Sequence, residues 1–275
     1  KSLYDKIRDT AGKLHFGRSR NDQVATDVRL YFMNKISLLS KEFKDFLLAI
    51  VSLAEKNLSV IMPGYTHLQK GQPVLLSHYL MAYFSILSRD LERLESCYEN
   101  MNVMPLGSGA FAGVTIPVDR KFLAKELGFK NISNNSIDTV SSRDHILDLL
   151  YSLSLIMINT SRICEEFIIW STDEFDFINL PEKFTTGSSI MPQKRNPDYL
   201  ELVRGKTGSS IGNMISLMTT LKGLPFTYNR DLQEDREGAM NSIDSVTKTI
   251  VVLKSMFLDI TFNEEKMFSS SIESN

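Results

Sequence analysis

Apolar residues recur at three- and four-residue steps over most of the chain, and the polar intervals between those runs are few. Val24, Val28, Phe32, Ile36, Leu39, Phe43, Phe46, Ile50 and Leu53 keep helical spacing with no breaker before Asn57, which predicts about 35 continuous helical residues. Leu76, Leu80, Tyr83, Leu87, Leu91 and Leu94 predict a second long helix over Leu75–Met101. A third, over 137–171, carries Ile146, Leu149, Leu153, Met157, Thr160, Cys164, Phe167 and Trp170 at helical spacing. Its other faces are apolar too, the pattern of a helix buried among helices. Leu200, Val203, Lys206, Ser210, Met214, Leu217 and Leu221 share one side of a helix over Asp198–Leu221, and Asp235–Leu258 is the last long one. No alternating strand run competes, so the expected fold class is all-α, a bundle of long helices joined at both ends by loops.

The shorter segments fill in around this frame. A helix or turn is expected near Leu3–Arg8, and Asn21 or Asp22 is expected to cap the first long helix after the polar stretch Gly12–Gln23. Pro63-Gly64 and Gly71-Gln72-Pro73 bracket Tyr65–Lys70 and hold His67 in a loop, away from the core. Leu106–Gly113 is glycine-rich, but no strand precedes it and its spacing is not that of a dinucleotide site, so it reads as a structural loop. A short helix is expected at Asp119–Leu127, and no internal repeat stands out.

One loop, Thr185–Pro197, concentrates reactive groups between two of the long helices. Gly187 and its hydroxyl neighbours favour an open backbone, and Asn196-Pro197 reads as a helix start, with Asn as the cap and Pro at the first helical position. The loop offers the hydroxyls of Ser188 and Ser189, the ammonium of Lys194, the amide of Asn196 and the positive end of a helix. That set suits a substrate bearing carboxylates. A Ser/Thr-rich connector that only caps a helix has the same composition.

Composition narrows the partners. The 31 Lys and Arg against 33 Asp and Glu leave a net charge of −2 with no block of like charge, so there is no electrostatic footprint for nucleic acid or a membrane surface. With 43% hydrophobic and 23% charged residues the chain has a globular balance, and small-molecule chemistry fits it better. Cys97 and Cys164 stand singly in apolar helical patterns, without zinc-site or disulfide spacing, which fits a reducing compartment and an expected cytoplasmic location. No run of 18 apolar residues and no signal-peptide pattern is present, so no spanning helix is expected.

Gly187-Ser188-Ser189-Ile190-Met191-Pro192-Gln193-Lys194-Arg195-Asn196-Pro197 resembles, at every fixed position, the signature of the fumarase/aspartase superfamily, whose members eliminate fumarate from succinyl-type substrates. Gly17-Arg18-Ser19-Arg20-Asn21-Asp22-Gln23 and Thr227-Tyr228-Asn229-Arg230-Asp231-Leu232-Gln233-Glu234-Asp235 make the likeness strongest to its argininosuccinate lyase branch. The resemblance covers essentially the whole chain. Adenylosuccinate lyases share the fold, loop and product but not those two stretches, while delta-crystallins resemble the same branch and some have lost activity.

The resemblance implies a lyase that releases fumarate from argininosuccinate by β-elimination, with no cofactor and no metal. Ser188 is implied as the base that takes the carbon-bound proton, with Ser189 as the fallback. Lys194 and Asn196 would stabilise the charge that builds on the neighbouring carboxylate. His67, with Glu201 hydrogen-bonded to it, is implied as candidate acid. His15, His78 and His145 have weaker cases. Ser19, Arg20, Asn21 and Thr66 match positions that hold the carboxylates, and Tyr228, Gln233 and Arg236 positions that line the arginine side. Two departures are mild: the family commonly has Lys at Arg236 and often Thr at Phe16. The resemblance further implies a homotetramer with a shared helical core and active sites composed from several subunits. Residues 1–262 would form the central bundle domain, with an N-terminal part of the family pattern missing before Lys1, and 263–275 the truncated start of a C-terminal helical domain.

Overall fold

The computed structural model describes residues 2–272. In chain order the elements are α1 (Ser2–Ile7), a 3-10 turn at Arg8–His15, α2 (Arg20–Lys56), β1 (Ile61–Thr66), β2 (Gln69–Leu75), α3 (Leu76–Met101), β3 (Val103–Met104), α4 (Arg120–Leu127), β4 (Asn131–Ile132), α5 (Ser136–Ser141), α6 (Asp144–Trp170), β5 (Ile178–Asn179), β6 (Thr186–Gly187), β7 (Arg195–Asn196), α7 (Asp198–Leu221), a 3-10 turn at Arg230–Asp235, α8 (Glu237–Asp259), β8 (Thr261–Phe262) and α9 (Glu264–Ile272).

Five long helices, α2, α3, α6, α7 and α8, make the bundle the apolar spacing predicts, and their side-chain contacts fix its directions. Asp90 and Asn159, Cys97 and Ser152, and Asn100 and Asp148 set α3 antiparallel to α6. Arg204 with Glu165 and Thr207 with the Met157 carbonyl set α6 antiparallel to α7. Lys35 with Asp244 and Lys254 with Glu42 set α8 parallel to α2. The core between them holds Phe32, Phe43, Phe46, Phe167 and Phe257 almost wholly out of water. Phe257 meets Phe46 edge-on at 5.1 Å and stacks on Phe167 at 5.2 Å. Burying each such ring is worth about 1.5–3 kcal/mol relative to leaving it exposed. By length and composition α6 could cross a membrane; in this fold it is a core helix.

The bundle therefore has two ends. At one lie the starts of α2, α6 and α8; at the other lie the ends of those helices and the starts of α3 and α7. With 37 residues in α2 and 27 in α6, the ends are separated by about 55 Å along α2 and about 40 Å along α6, at about 1.5 Å per residue.

Four local expectations are corrected. The cap of α2 is Ser19, not Asn21 or Asp22: its hydroxyl accepts from the Asn21 amide, and the Asp22 carboxylate at the third helical position accepts from the Ser19 amide. The expected helix over 137–171 is broken between α5 and α6, because Ser142 is extended and the Arg143 guanidinium turns back onto the Val140 and Ser142 carbonyls. Short strands exist after all, the longest being the β1–β2 hairpin around His67. The first residue of α7 is Asp198, and its cap is Pro197 with no side-chain bond; Asn196 lies one step earlier, paired with Thr186 in a two-stranded ladder.

Candidate active site

The signature loop is a hairpin leading into the N-terminus of α7. Thr186 pairs with Asn196 and Gly187 with Arg195, and the base is tied further by Thr186 to Asp198 and by Arg195 to Glu182 at 2.7 Å. Everything from Ser188 to Lys194 is then the tip. The Ser188 oxygen accepts from the amides of Ile190 and Met191, each at 3.3 Å, and the Lys194 amide donates to the Met191 carbonyl at 3.0 Å. Serine at the first position of a turn makes such bonds readily. Ile190 is 87% exposed and Met191, Gln193 and Lys194 are exposed too. No hydrogen bond or ion pair engages the Lys194 ammonium among the described residues.

His67 occupies the tight turn of the β1–β2 hairpin, between Thr66 and its partner Gln69. Both turn residues have positive φ, 56° at His67 and 58° at Leu68. A two-residue hairpin turn of this hand normally takes Asn or Gly, and a side chain there costs about 1–2 kcal/mol per residue. His67, Leu68 and Thr66 all face solvent. The hairpin leans on α9 and on the ring of Phe175, 5.9 Å from Tyr65. Glu201, in the first turn of α7, is exposed and paired with Arg204 at 3.6 Å. Within one chain, among the described residues, no hydrogen bond joins Glu201 to His67.

Both of these groups stand at one end of the bundle. The remaining predicted residues stand at the other. Ser19, Arg20 and Asn21 begin α2, and Tyr228, Gln233 and Arg236 surround the 3-10 turn before α8. That turn is anchored by Asp235, which binds the Arg143 guanidinium at 2.5 Å in the interior and lies 3.1 Å from Arg236. Arg29 bridges the same region by donating to the carbonyls of Asn100 and Met101, and its guanidinium is lowered to about 10 by burial and by Arg143. His145 is buried beside them. Desolvation, with Arg29 and Arg143 nearby, holds its imidazole well below the usual range, so it is a neutral core residue and not a site histidine. His15 and His78 are exposed, and among the described residues neither is hydrogen-bonded to a predicted site residue.

The sequence offers Asp22 only as a possible cap, and its tie to the glycine-rich loop went unread. Asp22 is fully buried and its carboxylate accepts from the amides of Gly107 at 3.0 Å and Gly109 at 2.9 Å, so the glycine-rich loop is tied to the Ser19-Arg20-Asn21 turn. The available signal was the Ser-x-x-Asp spacing of a reciprocal cap.

The sequence profile of the family described as Lyase matches residues 2–212. The chain belongs to this lyase family. Within it, the chain is similar to the argininosuccinate lyase of Syntrophus aciditrophicus, 53% identical over 267 residues, covering 97% of this chain and 57% of that protein. It is also similar to the argininosuccinate lyase of Bacillus anthracis, 50% identical with 97% and 58% covered. The chain thus spans under two thirds of the length of these lyases. Among solved structures it is similar to an EDDS lyase in complex with formate, with a TM-score of 0.92 and 31% identity over 98% of this chain and 54% of that one. It also shares the fold of a class II fumarase from Schistosoma mansoni, TM-score 0.85 at 18% identity, covering 93% and 59%. The helical bundle is therefore the fold of this lyase family.

Proposed function

We propose that the full protein cleaves argininosuccinate to arginine and fumarate. The observation that carries this reading is the signature hairpin, which presents Ser188 and Lys194 unburied at the positive end of α7, with the argininosuccinate-type motifs intact elsewhere on the bundle. The demanding step is removal of the proton beside a carboxylate, which spreads a second negative charge onto that carboxylate. Ser188 takes the proton, and Lys194 and Asn196 stabilise the charge. The Ser188 hydroxyl becomes basic enough only when the hairpin closes and excludes water. His67, tied to Glu201 of another subunit, protonates or orients the leaving nitrogen. The carbon–nitrogen bond breaks, with its electrons leaving on the guanidinium nitrogen of arginine.

The working unit is a homotetramer with composite sites. The separation of the two bundle ends supports this, since no single chain can bring Arg20 to Ser188 across about 40 Å, the length of 27 helical residues at about 1.5 Å each. The outer face of α7 supports it as well. Gly205, Gly208 and Gly212 lie exposed along it between Leu202 and Ile215, and a Cβ at any of the three would meet nothing. Interior glycines cost a helix about 0.5–1 kcal/mol each relative to alanine, so close approach by a helix of another subunit is what would repay them. Two free, buried cysteines fit the cytoplasm. The division into a domain over 1–262 and a second over 263–275, of which 273–275 lie outside the described residues, remains part of the proposal.

The deciding assay follows the absorbance of fumarate formed by the full-length enzyme from argininosuccinate and, separately, from adenylosuccinate. Release from the first alone is expected. Release from adenylosuccinate would replace the substrate, and silence with both, in a folded tetramer, would mean a crystallin-like protein. Within an active enzyme, Lys194→Met is expected to lower kcat/KM by about 10²–10³-fold, mostly in kcat, as for loss of one preorganised partner of a developing oxyanion. A rise in KM alone would make Lys194 an anchor for the ground state.

A further inference from the structure

We propose that Asp22 is a positioning residue, and that the glycine-rich loop it holds is one wall of the substrate's carboxylate subsite. The inference rests on the lyase reading above and adds to it the glycine-rich loop, which lies outside the matched motifs. Asp22 has no solvent exposure, yet both carboxylate oxygens are used: one accepts from the Ser19 amide at 3.0 Å, the other from the amides of Gly107 and Gly109 at 3.0 and 2.9 Å. A charged acceptor shared by three backbone donors is among the stronger ties a protein makes. Asn21 adds a second, donating from its side chain to the Ala110 carbonyl at 3.2 Å.

From behind, Arg120 braces the same loop, donating to the Leu106 carbonyl at 3.0 Å and to Ser133 at 3.0 and 2.8 Å. Gly109 has φ +62°, and a Cβ there would stand 2.3 Å from the Gly113 carbonyl oxygen, so the fold admits only glycine. Root and brace are held by hydrogen bonds, while the tip from Ala110 to Gly113 is exposed. Between that tip and the stretch Phe16–Ser19 lies an open cleft of about 370 Å³. The side chains of Ser19, Arg20 and Asn21 therefore have their height above the loop set by Asp22. The ligand class that this cleft would take is a dicarboxylate of fumarate size, the acidic half of the substrate.

Two variants of the full-length tetramer test this. Asp22→Asn keeps the shape but turns one acceptor into a donor facing an amide. Gly113→Ala leaves Asp22 alone and meets no atom within 4 Å, but must adopt φ +82°, which reshapes the tip. In Asp22→Asn, KM for argininosuccinate and the inhibition constant of fumarate are expected to rise together, about tenfold or more, because ground-state grip on the carboxylates is lost. In Gly113→Ala the same joint rise is expected at about threefold or more, with kcat held within about twofold. A merely structural role predicts the opposite split, kcat falling with the fraction of folded sites while KM and the fumarate constant stay put. That split, or both constants within about twofold of wild type in the folded variants, overturns the inference. If Asp22→Asn does not assemble, Gly113→Ala decides alone. Wild type showing no fumarate release from argininosuccinate would instead overturn the lyase reading, and calorimetric fumarate binding would then still compare the variants.

Discussion

Replacing Ser188 with alanine is expected to lower kcat by about 10²–10⁴-fold while argininosuccinate still binds, the range for loss of a general base. The Ser188 oxygen already holds two amides of its own turn at 3.3 Å. Those bonds are long, so their loss leaves the ladder of Thr186 with Asn196 and Gly187 with Arg195 in place, and the hairpin should keep its path. The change is then confined to one oxygen. Ser189, exposed and without a hydrogen bond among the described residues, is the internal control. Rapid-mixing turnover, with substrate binding measured by calorimetry, separates chemistry from affinity. Near-normal turnover in Ser188→Ala together with a collapse in Ser189→Ala would move the base by one residue.

The second large effect comes from mixing chains. Arg20→Met and Ser188→Ala, each inactive as a homotetramer, are expected to regain about a quarter of wild-type activity when unfolded and refolded together in equal amounts. Each proposed site takes its arginine from one chain and its serine from another, so random assembly gives both intact residues to about one site in four. The bundle geometry makes this pair the informative one, because Arg20 starts α2 and Ser188 precedes α7 at the opposite end. His67 would be a weaker partner for Ser188, since both stand at the same end. A mixture as inactive as its parents would reject sites shared between chains.

The long helices were legible because apolar residues recur at helical spacing over many turns, interrupted in α7 only by Lys206 and Ser210, and a periodic run of that length has one reading. The ends were not, for a physical reason visible at three places. At Ser19 the cap depends on a reciprocal bond from Asp22, and at Asn196 helix entry is overridden by pairing with Thr186 across the hairpin. At Arg143, where local periodicity reads one helix, the guanidinium that turns back onto the Val140 and Ser142 carbonyls is also paired with Asp235, 92 residues away. The last two are contacts distant in sequence or set by a neighbouring strand, while the first is local but reciprocal, so neither residue alone reveals it. The site residues were named from motifs, and the fold places every one at a bundle end, but a motif carries no statement of which end. The tie from Asp22 to the glycine-rich loop was missed because it joins residues 85 and 87 positions apart, which no local pattern reveals.

The distance between the bundle ends also constrains how such a chain can change over time. Adding or removing one turn within α2 or α6 would move one end relative to the other by about 5.4 Å, whereas a reacting geometry tolerates misplacement of only about 1 Å. If each catalytic centre draws on both ends, the length of the helical shaft is fixed by the chemistry. Insertions and deletions would then accumulate in the connections outside the bundle, while the interiors of the long helices accept substitution alone.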